Sequence, residues 1–360
     1  MSRCLITGLA LATALGANAQ ATWQNLLSGS VLRGVGRVPV VGDASLPRVS
    51  QLAVHVARDA LADAGWSKEA PASDRTALVI GTSKGPIEAW LAGQATSAFG
   101  LAAVAEDVAA AIGHTAGPRL TSSAACASGL HALIRAKELL DSGRCDRALI
   151  VAAESSIGPL FQATFTRLGV LARPEIGCRP FDKNREGFLL AEAAAAVCLE
   201  REAAASKGGI ELAAGVLLSD AHHLTAPDPA GAAVEAAVRR LTVGRPVQLV
   251  HAHGTGTVLN DPAELDAISR AVASAQHPVA IVSHKHAIGH TQGAAGLISV
   301  VLNVLIHRNS TVFGNANSPE VMPNAGVEVP TNSKKTVVAY SIALAAGFGG
   351  PIAAVRLEGG

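Results

Sequence analysis

The sequence predicts a layered α/β fold. Short segments at 76–80, 148–153, 193–199, 247–251 and 279–283 are almost entirely apolar, which is typical of strands buried on both faces of a sheet. Helical patterns separate several of them, and strands alternating with helices are typical of layered α/β domains. With 360 residues, 49% of them hydrophobic, the chain is long enough to bury a large core.

Two helices are predicted in the first half of the chain. One is at 51–64, because its apolar residues have helical spacing and Gly65 follows it. The other is at 130–140, where apolar residues stand at 130, 133, 134 and 140 before Asp141-Ser-Gly143.

The second half repeats the alternation. A helix is predicted from Asp261, and another from Gly293 to about residue 306. The segments 337–342 and 352–357 are predicted to be closing strands. No linker or low-complexity segment separates the two halves.

Charge and cysteine content exclude several classes of protein. The net charge of +1 gives no case for nucleic-acid or membrane-surface binding, and no apolar run is long enough to cross a membrane. The five cysteines are an odd number without a CxxC pair, which argues against a disulfide framework and a zinc site. We therefore expect a reduced, cytosolic protein.

Cys126 is the first candidate functional residue. It lies among small residues in Thr121-Ser-Ser-Ala-Ala-Cys126-Ala-Ser-Gly129, directly before the predicted helix at 130–140. The positive end of a helix dipole stabilises a thiolate, so we expect the thiol pKa to fall below its ordinary value. A lone cysteine can also be a buried structural residue.

Two downstream segments supply histidines, His251-Ala-His253-Gly-Thr-Gly-Thr257 and Ser283-His-Lys285-His-Ala-Ile-Gly-His290. Cysteine and two histidines in glycine-rich turns fit a hydrolase triad, a metal site or a condensing site. A metal site is the least favoured, because neither histidine has an acidic or sulfur ligand at ligand spacing. A hydrolase needs one histidine to deprotonate the thiol. A condensing enzyme uses two histidines to donate hydrogen bonds to an enolate oxygen.

Together with Cys126-Ala-Ser-Gly129, these segments resemble the β-ketoacyl synthases, the condensing enzymes of the thiolase superfamily. Arg179-Pro-Phe-Asp182 with Glu186-Gly-Phe188, and Gly347-Phe-Gly-Gly350, complete the family's pattern in its usual order. The resemblance implies a thiolase-like, five-layered αβαβα fold. It also implies one compact unit of two similar halves, 1–205 with the nucleophile and 206–360 with both catalytic histidines.

The resemblance implies a role for each candidate residue. Cys126 is the acylated nucleophile, His253 and His290 stabilise the enolate, and Lys285 orients the active-site network. The N–H groups of Cys126 and Phe348 form the oxyanion hole, and the Phe348 ring gates the acyl pocket.

Four further residues follow His253. Thr255 and Thr257 match the family's threonines that bind the pantetheine arm, although they can also be plain turn residues. Asp261 and Glu264 match acidic positions of the family and are interpreted as supporting or helix-start groups.

The implied activity is that of a β-ketoacyl-[acyl carrier protein] synthase, an acyltransferase of fatty acid or polyketide biosynthesis. An acyl group on Cys126 condenses with malonyl carrier protein as carbon dioxide leaves, without a metal or dissociable cofactor. Two alternatives remain. One is a weakly active or chain-length-determining partner subunit, although such subunits commonly lack the cysteine. The other is a thiolase that uses coenzyme A, or a Cys–His hydrolase.

The implied partners are an acyl carrier protein and a second synthase subunit, identical or paralogous. We expect a dimer because the chain has few charged residues and because the hydrophobic strand at 148–153 needs a covered edge. The resemblance pairs the segment ending at Cys126 across a two-fold axis.

The N-terminus imitates a secretory signal, with Arg3, an apolar run and Ala17-Asn-Ala19. The resemblance instead makes 4–8 the first core strand and 21–27 the helix after it, so we interpret the segment as structural.

This chain departs from the family's pattern in four places. Lys84 stands where the family usually has an apolar residue near the base of the acyl pocket. Ser299 stands where glutamate is common, and Leu190-Ala-Glu-Ala-Ala194 lacks the usual glycine beside its glutamate. The region from 30 to 120 is shorter than in typical members. We expect these differences to affect the length of the acyl chain, the choice of partner and the catalytic activity.

Overall fold

The computed structural model describes residues 3–39, 42–98, 100–205, 208–324 and 326–359. Within them the strands are β1 Cys4–Ala12, β2 Thr76–Gly81, β3 Arg119–Ser122, β4 Arg147–Glu154, β5 Ala193–Arg201, β6 Ile210–Ser219, β7 Leu249–His251, β8 Val279–Val282, β9 Thr311–Val312, β10 Val327–Glu328, β11 Lys334–Lys335, β12 Tyr340–Ala346 and β13 Pro351–Glu358. The α-helices are α1 Ala19–Leu27, α2 Arg48–Ala64, α3 Ile87–Leu91, α4 Ala103–Ile112, α5 Ser128–Asp141, α6 Pro159–Arg167, α7 Ala232–Thr242, α8 Asn260–Ala271, α9 Lys285–Ile288 and α10 Ala295–Asn309.

Eleven strands form one mixed sheet in the order β10-β8-β7-β12-β13-β6-β1-β5-β4-β2-β3. From β1 outward, the pairs with β5 and then β4 are antiparallel, and those with β2 and then β3 are parallel. From β6 outward, β13 and β12 are antiparallel neighbours, and β7 and β8 follow in parallel. The two sides of the sheet therefore repeat one topology.

The two sides join at β1 and β6, where the described residues form two pairs, Leu5 with Glu211 and Ile6 with Ile210. Residues 206 and 207, beside the predicted division at 205, lie outside the described residues.

The helices and strands form five layers, which three apolar clusters hold together. One cluster packs α2 and α4 on the β1–β5 side of the sheet, and a second packs α7 and α8 on the side formed by β6, β7, β8, β12 and β13. The third and largest contains α5 and α10 between the two sides. The predicted thiolase-like layered α/β fold is confirmed.

Most predicted elements are present with longer bounds. The predicted strand at 4–8 is confirmed as β1, which extends to Ala12 and is buried along its whole length. The helix predicted at 51–64 is α2, and Gly65 ends it in the left-handed conformation with φ 70°.

Three aspects of the predicted secondary structure were wrong. The strand predicted at 337–342 begins only at Tyr340, and Val337 is 77% exposed. The helix predicted from Gly293 begins at Ala295, after a single turn of 3-10 helix. The sequence analysis also missed β6 and α7, although residues 212–218 of β6 are an apolar run; in the structure β6 is only partly buried.

Among the described residues, no helix is long and apolar enough to cross a membrane.

Gly8 lies where β1 meets the backbone of α2. A Cβ added there would be 2.5 Å from the Ala60 carbonyl oxygen and 2.6 Å from the Ala64 amide nitrogen. We expect Gly8→Ala to lower the free energy of unfolding by about 1–3 kcal/mol, because backbone cannot move aside as a side chain can. Chemical denaturation measures the change. Gly208→Ala is the matched control, since a Cβ there meets no atom within 4 Å; equal losses in both variants would contradict the prediction.

Candidate active site

Cys126 lies in the short connection between β3 and α5. Ala125, just before it, has φ 48°, a left-handed conformation that non-glycine residues adopt only when their surroundings hold them there. Ser128 supplies that support: its Oγ donates to the Ala125 carbonyl at 2.6 Å and accepts from the Ala124 amide at 2.9 Å. The sequence reading did not single out Ser128, since its role depends on the shape of this turn.

The two histidines reach the cysteine from separate loops. His253 follows β7, and His290 follows α9, where its amide donates to the Leu189 carbonyl at 2.7 Å. Their ring centroids are 5.5 Å apart, with the planes at 82°. Cys126, His253 and His290 line one pocket of about 190 Å³. The structure thus brings together the three residues predicted to carry the chemistry.

Buried charges hold the backbone of His253. Lys285, the first residue of α9, is buried, and its Nζ donates to the His253 carbonyl. Glu264 accepts from the amides of His253 and Gly254 at 2.6 and 2.8 Å. Burial raises the pKa of Glu264 to about 7 and lowers that of Lys285. These two side chains therefore hold the loop that carries His253, and Glu264 also lines the pocket.

Asp261 supports the next part of the same loop. It lies in the first turn of α8 and accepts from the amides of Gly256, at 3.0 Å, and Phe181, at 2.7 Å. The Oγ1 atoms of Thr255 and Thr257 are hydrogen-bonded to each other at 2.9 Å, and both threonines line the pocket.

Phe348 also lines the pocket, and its ring centroid is 6.4 Å from that of Phe165. The preceding Gly347 lies against the nucleophile: a Cβ added there would be 3.1 Å from the Cys126 amide nitrogen and 3.0 Å from the Ala124 carbonyl oxygen. A Cβ here would require its neighbours to shift by a few tenths of an ångström, so glycine lets the Phe348 segment lie close beside the backbone of Cys126.

Burial keeps both pocket histidines neutral. It lowers the pKa of His253 and of His290 well below the ordinary value, and the charge of Lys285 acts in the same direction. A neutral imidazole carries one donor and one acceptor nitrogen. Within the described chain, the Nδ1 atoms of both rings are buried without a hydrogen-bond partner.

The expected fall in the Cys126 pKa was wrong. Burial raises the pKa of this thiol to about 11, and the charges of Lys84 and Lys285 only partly oppose the rise. Removal from water disfavours the charged thiolate, and the nearby charge of Glu154 acts in the same direction. The resting thiol is therefore protonated at neutral pH.

A second histidine pair, His251 and His284, lies buried behind the pocket and was not predicted. The Nδ1 of His251 donates to Asn303 Oδ1 at 2.9 Å, and its Nε2 accepts from His284 Nδ1 at 2.9 Å. Asn303 fixes this direction, because its Nδ2 donates to the Ile342 carbonyl at 3.2 Å. Burial lowers the pKa of His251 to about 3, so the pair connects β7, α9 and α10 as neutral groups.

Two segments that depart from the family's pattern carry buried side chains with structural roles, Glu192 beside the missing glycine and Ser299. Glu192 accepts from Arg48 at 2.6 Å and from the Val38 amide at 3.0 Å. Ser299 is buried in α10, where its Oγ donates to the Ala295 carbonyl at 3.3 Å.

Comparison with known families decides the identity. The models described as "Beta-ketoacyl synthase, N-terminal domain" and "Beta-ketoacyl synthase, C-terminal domain" match residues 41–205 and 211–318. The chain belongs to the β-ketoacyl synthase family. This synthase is an acyl-transferring condensing enzyme. The family that the sequence around Cys126 and the two histidine segments predicted is confirmed.

Two curated relatives match almost the whole synthase. It is 28% identical to the tetracenomycin polyketide synthase ketoacyl synthase alpha subunit of Streptomyces glaucescens, covering 97% of this chain and 95% of the relative. It is also 28% identical to 3-oxoacyl-[acyl-carrier-protein] synthase 2 of Mycobacterium leprae (strain TN), covering 96% and 94%.

Solved structures agree with this assignment. A β-ketoacyl synthase from Burkholderia phymatum STM815 matches with a TM-score of 0.88 and 26% identity, covering 100% of both chains. The type II polyketide ketosynthase AntDE, solved with its acyl carrier protein AntF, has the same fold, with a TM-score of 0.88, 23% identity, and 100% and 99% coverage.

The raised thiol pKa gives a testable pH dependence. Only the thiolate reacts with iodoacetamide, so with a pKa of about 11 the alkylation rate of Cys126 should rise about tenfold per pH unit from neutrality to about pH 10. Mass spectrometry of the Cys126 peptide measures the rate. Glutathione serves as the control thiol with an ordinary pKa, and a Cys126 rate that levels off below about pH 8 would contradict the prediction.

Proposed function

We propose that this synthase condenses an acyl group carried on Cys126 with malonyl carrier protein and releases a β-ketoacyl carrier protein. The observation that carries the proposal is the meeting of Cys126, His253 and His290 in one pocket from three separate loops. The position of the Phe348 segment beside the Cys126 amide supports an oxyanion hole formed by the N–H groups of these two residues.

The reaction divides into two steps. In the first, Cys126 attacks the acyl thioester of the carrier protein, a new thioester forms on its sulfur, and the carrier's thiol leaves with the proton. In the second, the malonyl carboxylate leaves as carbon dioxide and its electron pair forms an enolate. The enolate carbon attacks the Cys126 thioester, and the cysteine leaves as thiolate and is reprotonated.

Neutral histidines suit the second step. Each can donate one N–H to the thioester oxygen on which the enolate charge develops, without adding a cation to a dry pocket. The Thr255 and Thr257 hydroxyls lie in the same pocket and can hydrogen-bond the pantetheine arm. The proposal needs no metal or dissociable cofactor.

Two alternatives are less well supported. A hydrolase triad needs an Asp or Asn on the outer nitrogen of the catalytic histidine, but within the described chain Nδ1 of both His253 and His290 has no partner. A thiolase-like site needs a second reactive cysteine, but Cys126 is the only cysteine in the described lining of the pocket. The third alternative, a weakly active or chain-length-determining partner subunit, is compatible with a retained Cys126. The acylation experiment below tests it.

The proposed partner is an acyl carrier protein. The pocket is lined in part by three largely exposed apolar residues, Leu224, Val258 and Leu259. Their exposed fractions are 78%, 60% and 64%. Exposed apolar groups around a reactive pocket favour a protein contact there. The ketosynthase AntDE was solved with such a carrier. A cytosolic location stays a prediction.

We also propose a dimer, through β3, which lies in the segment ending at Cys126 that the resemblance pairs across a two-fold axis. The strand predicted at 148–153 is β4, which pairs on both sides, with β2 and β5, so it has no free edge. β3 is the last strand of the sheet, and Leu120 within it is 40% exposed. Pairing of two β3 strands would cover this edge and bring the two nucleophile turns close together.

Acylation tests the nucleophile. Incubation with an acyl carrier protein thioester should add one acyl mass to the Cys126 peptide, and Cys126→Ala should abolish the adduct. Cys178→Ala is the matched control, because this buried cysteine donates to the Thr255 carbonyl at 3.3 Å and does not line the pocket. Label on Cys145, Cys178 or Cys198, or no label at all, would contradict the proposal.

The histidines should affect decarboxylation more than loading. We expect His253→Ala and His290→Ala each to slow carbon dioxide release from malonyl carrier protein a hundredfold or more, since removing one oxyanion donor costs about 3 kcal/mol. Any loss in Cys126 acylation should recover as pH rises and thiolate forms. Parallel loss of both steps at every pH would instead indicate that the histidines serve the thiol.

The dimer is tested by light scattering at micromolar concentration. We expect a stable dimer, and Leu120→Lys, which adds charge to the β3 edge, should shift it toward monomer. Leu91→Lys is the control, because Leu91 is 59% exposed but lies in α3, outside the sheet. A stable monomer of the unmodified protein, with no co-purifying partner, would contradict the proposal.

A further inference from the structure

The hydrogen bond between His251 and His284 joins the two segments that carry the pocket histidines. His251 ends β7, two residues before His253, and His284 lies six residues before His290. The Nε2 of His251 and the Nδ1 of His284 are 2.9 Å apart, and both side chains are fully buried. Neither belongs to the described lining of the pocket. The pair can therefore affect the reaction only through the residues that do line it.

Side-chain contacts take over where the backbone pairing of β7 and β8 ends. The last residues of the two strands, His251 and Val282, pair with each other. Directly beyond them, Ser283 Oγ donates to the Gly254 carbonyl at 2.8 Å. The hydrogen bond from His284 to His251 lies in the same stretch, so it helps to set the direction in which the two loops leave the sheet.

The short helix α9 depends on such contacts for its orientation. It has only four residues, and an isolated turn of helix is unstable by itself. His284 precedes it, and the Ile288 amide donates to the His284 carbonyl at 2.9 Å. At the other end, the Gly289 amide donates to the Lys285 carbonyl at 3.1 Å, directly before His290. A displacement of His284 is consequently passed along α9 to His290.

The other end of the pair is anchored to α10 and β12. The Nδ1 of His251 donates to Asn303 Oδ1 at 2.9 Å, and Asn303 Nδ2 donates to the Ile342 carbonyl at 3.2 Å. His251 must therefore accept at Nε2, and His284 must donate from Nδ1. Burial lowers the pKa of His251 to about 3 and that of His284 well below its ordinary value, so both rings stay neutral and the hydrogen bond keeps this direction at neutral pH.

We propose, resting on the proposed condensing function, that His284 is a positioning residue for decarboxylation. The hydrogen bond from its Nδ1 to His251 fixes the start of α9, and thereby the place of His290 relative to His253. Both pocket histidines must reach the same enolate oxygen. A displacement of about 1 Å in such an arrangement can cost about a hundredfold in rate.

The two steps of the reaction should respond differently to loss of this hydrogen bond. Decarboxylation needs His253 and His290 in register with each other. Loading depends on the Cys126 turn and the Phe348 segment, which are held by other contacts. A general loss of stability would instead slow both steps together.

Substitutions at position 284 test the hydrogen bond itself. The side-chain amide nitrogen of asparagine takes nearly the same place as Nδ1 of histidine, whereas that of glutamine takes the place of Nε2. His284→Asn can therefore still donate to His251, and His284→Gln and His284→Leu cannot. The comparison of the two amides changes the position of one donor while keeping its chemistry.

Two rates are measured for each variant. The first is carbon dioxide release from the N-acetylcysteamine thioester of malonate, labelled in its free carboxyl carbon. The second is acetyl loading of Cys126 from the corresponding acetyl thioester, followed by mass spectrometry of the Cys126 peptide. We expect His284→Leu and His284→Gln to slow carbon dioxide release about tenfold or more and to change loading by less than about twofold. His284→Asn should restore release to nearly the rate of the unmodified protein.

His286→Leu is the matched control for loss of a buried histidine from α9. His286 is equally buried, but its Nδ1 donates to the Ser283 carbonyl at 2.9 Å, within its own segment. We expect carbon dioxide release by this variant to stay close to that of the unmodified protein. Chemical denaturation of every variant measures its loss of stability.

Several results would overturn the inference and leave the proposed function standing. These are equal release by His284→Asn and His284→Gln, a parallel loss of release and loading in His284→Leu, and an equal loss of release in His286→Leu. Failure of His284→Asn to fold would also overturn it, because that variant keeps the donor. Absence of carbon dioxide release and of Cys126 loading in the unmodified protein would refute both.

Discussion

The close packing of α5 against α10 is the constraint on which the active site depends. A Cβ on Gly129 would lie 3.0 Å from the Leu297 amide nitrogen, and one on Gly296 would lie 2.7 Å from the Leu130 side chain. The first turns of the two central helices therefore touch. Cys126 precedes α5 and His290 precedes α10, so this contact brings the nucleophile of one half next to a histidine of the other.

The repeated topology explains why the contact forms at that place. In each half, a parallel strand runs into a loop and the loop into a central helix, and the carboxyl ends of parallel strands are where open α/β sheets carry their sites. In the described residues, β1 and β6 join the two sides through two residue pairs. Most of the contact between the halves is consequently made by the apolar cluster that contains α5 and α10.

The same burial sets the electrostatics of the pocket. It raises the pKa of Cys126 to about 11 and lowers the pKa values of His253 and His290, so all three are neutral at rest. The charged groups nearby are paired: Lys285 with the His253 carbonyl, and Lys84 with Gln292 and Ser83. A dry pocket with neutral donors stabilises charge that develops during a reaction more strongly than a solvated one does.

The sequence by itself determined the layered α/β class, most of the central strands and the candidate residues Cys126, His253 and His290, because buried strands need continuous apolar runs and the three residues stand in recognisable small-residue turns. It could not determine the sign of the Cys126 pKa shift, which depends on how much protein surrounds the sulfur. Neither could it reveal the hydrogen bonds of Ser128, which depend on the shape of the turn before α5, or those that Lys84 makes with Ser83 and Gln292. Lys84 and Gln292 are 208 positions apart in the chain, and only the packing of the layers brings such side chains within hydrogen-bonding distance.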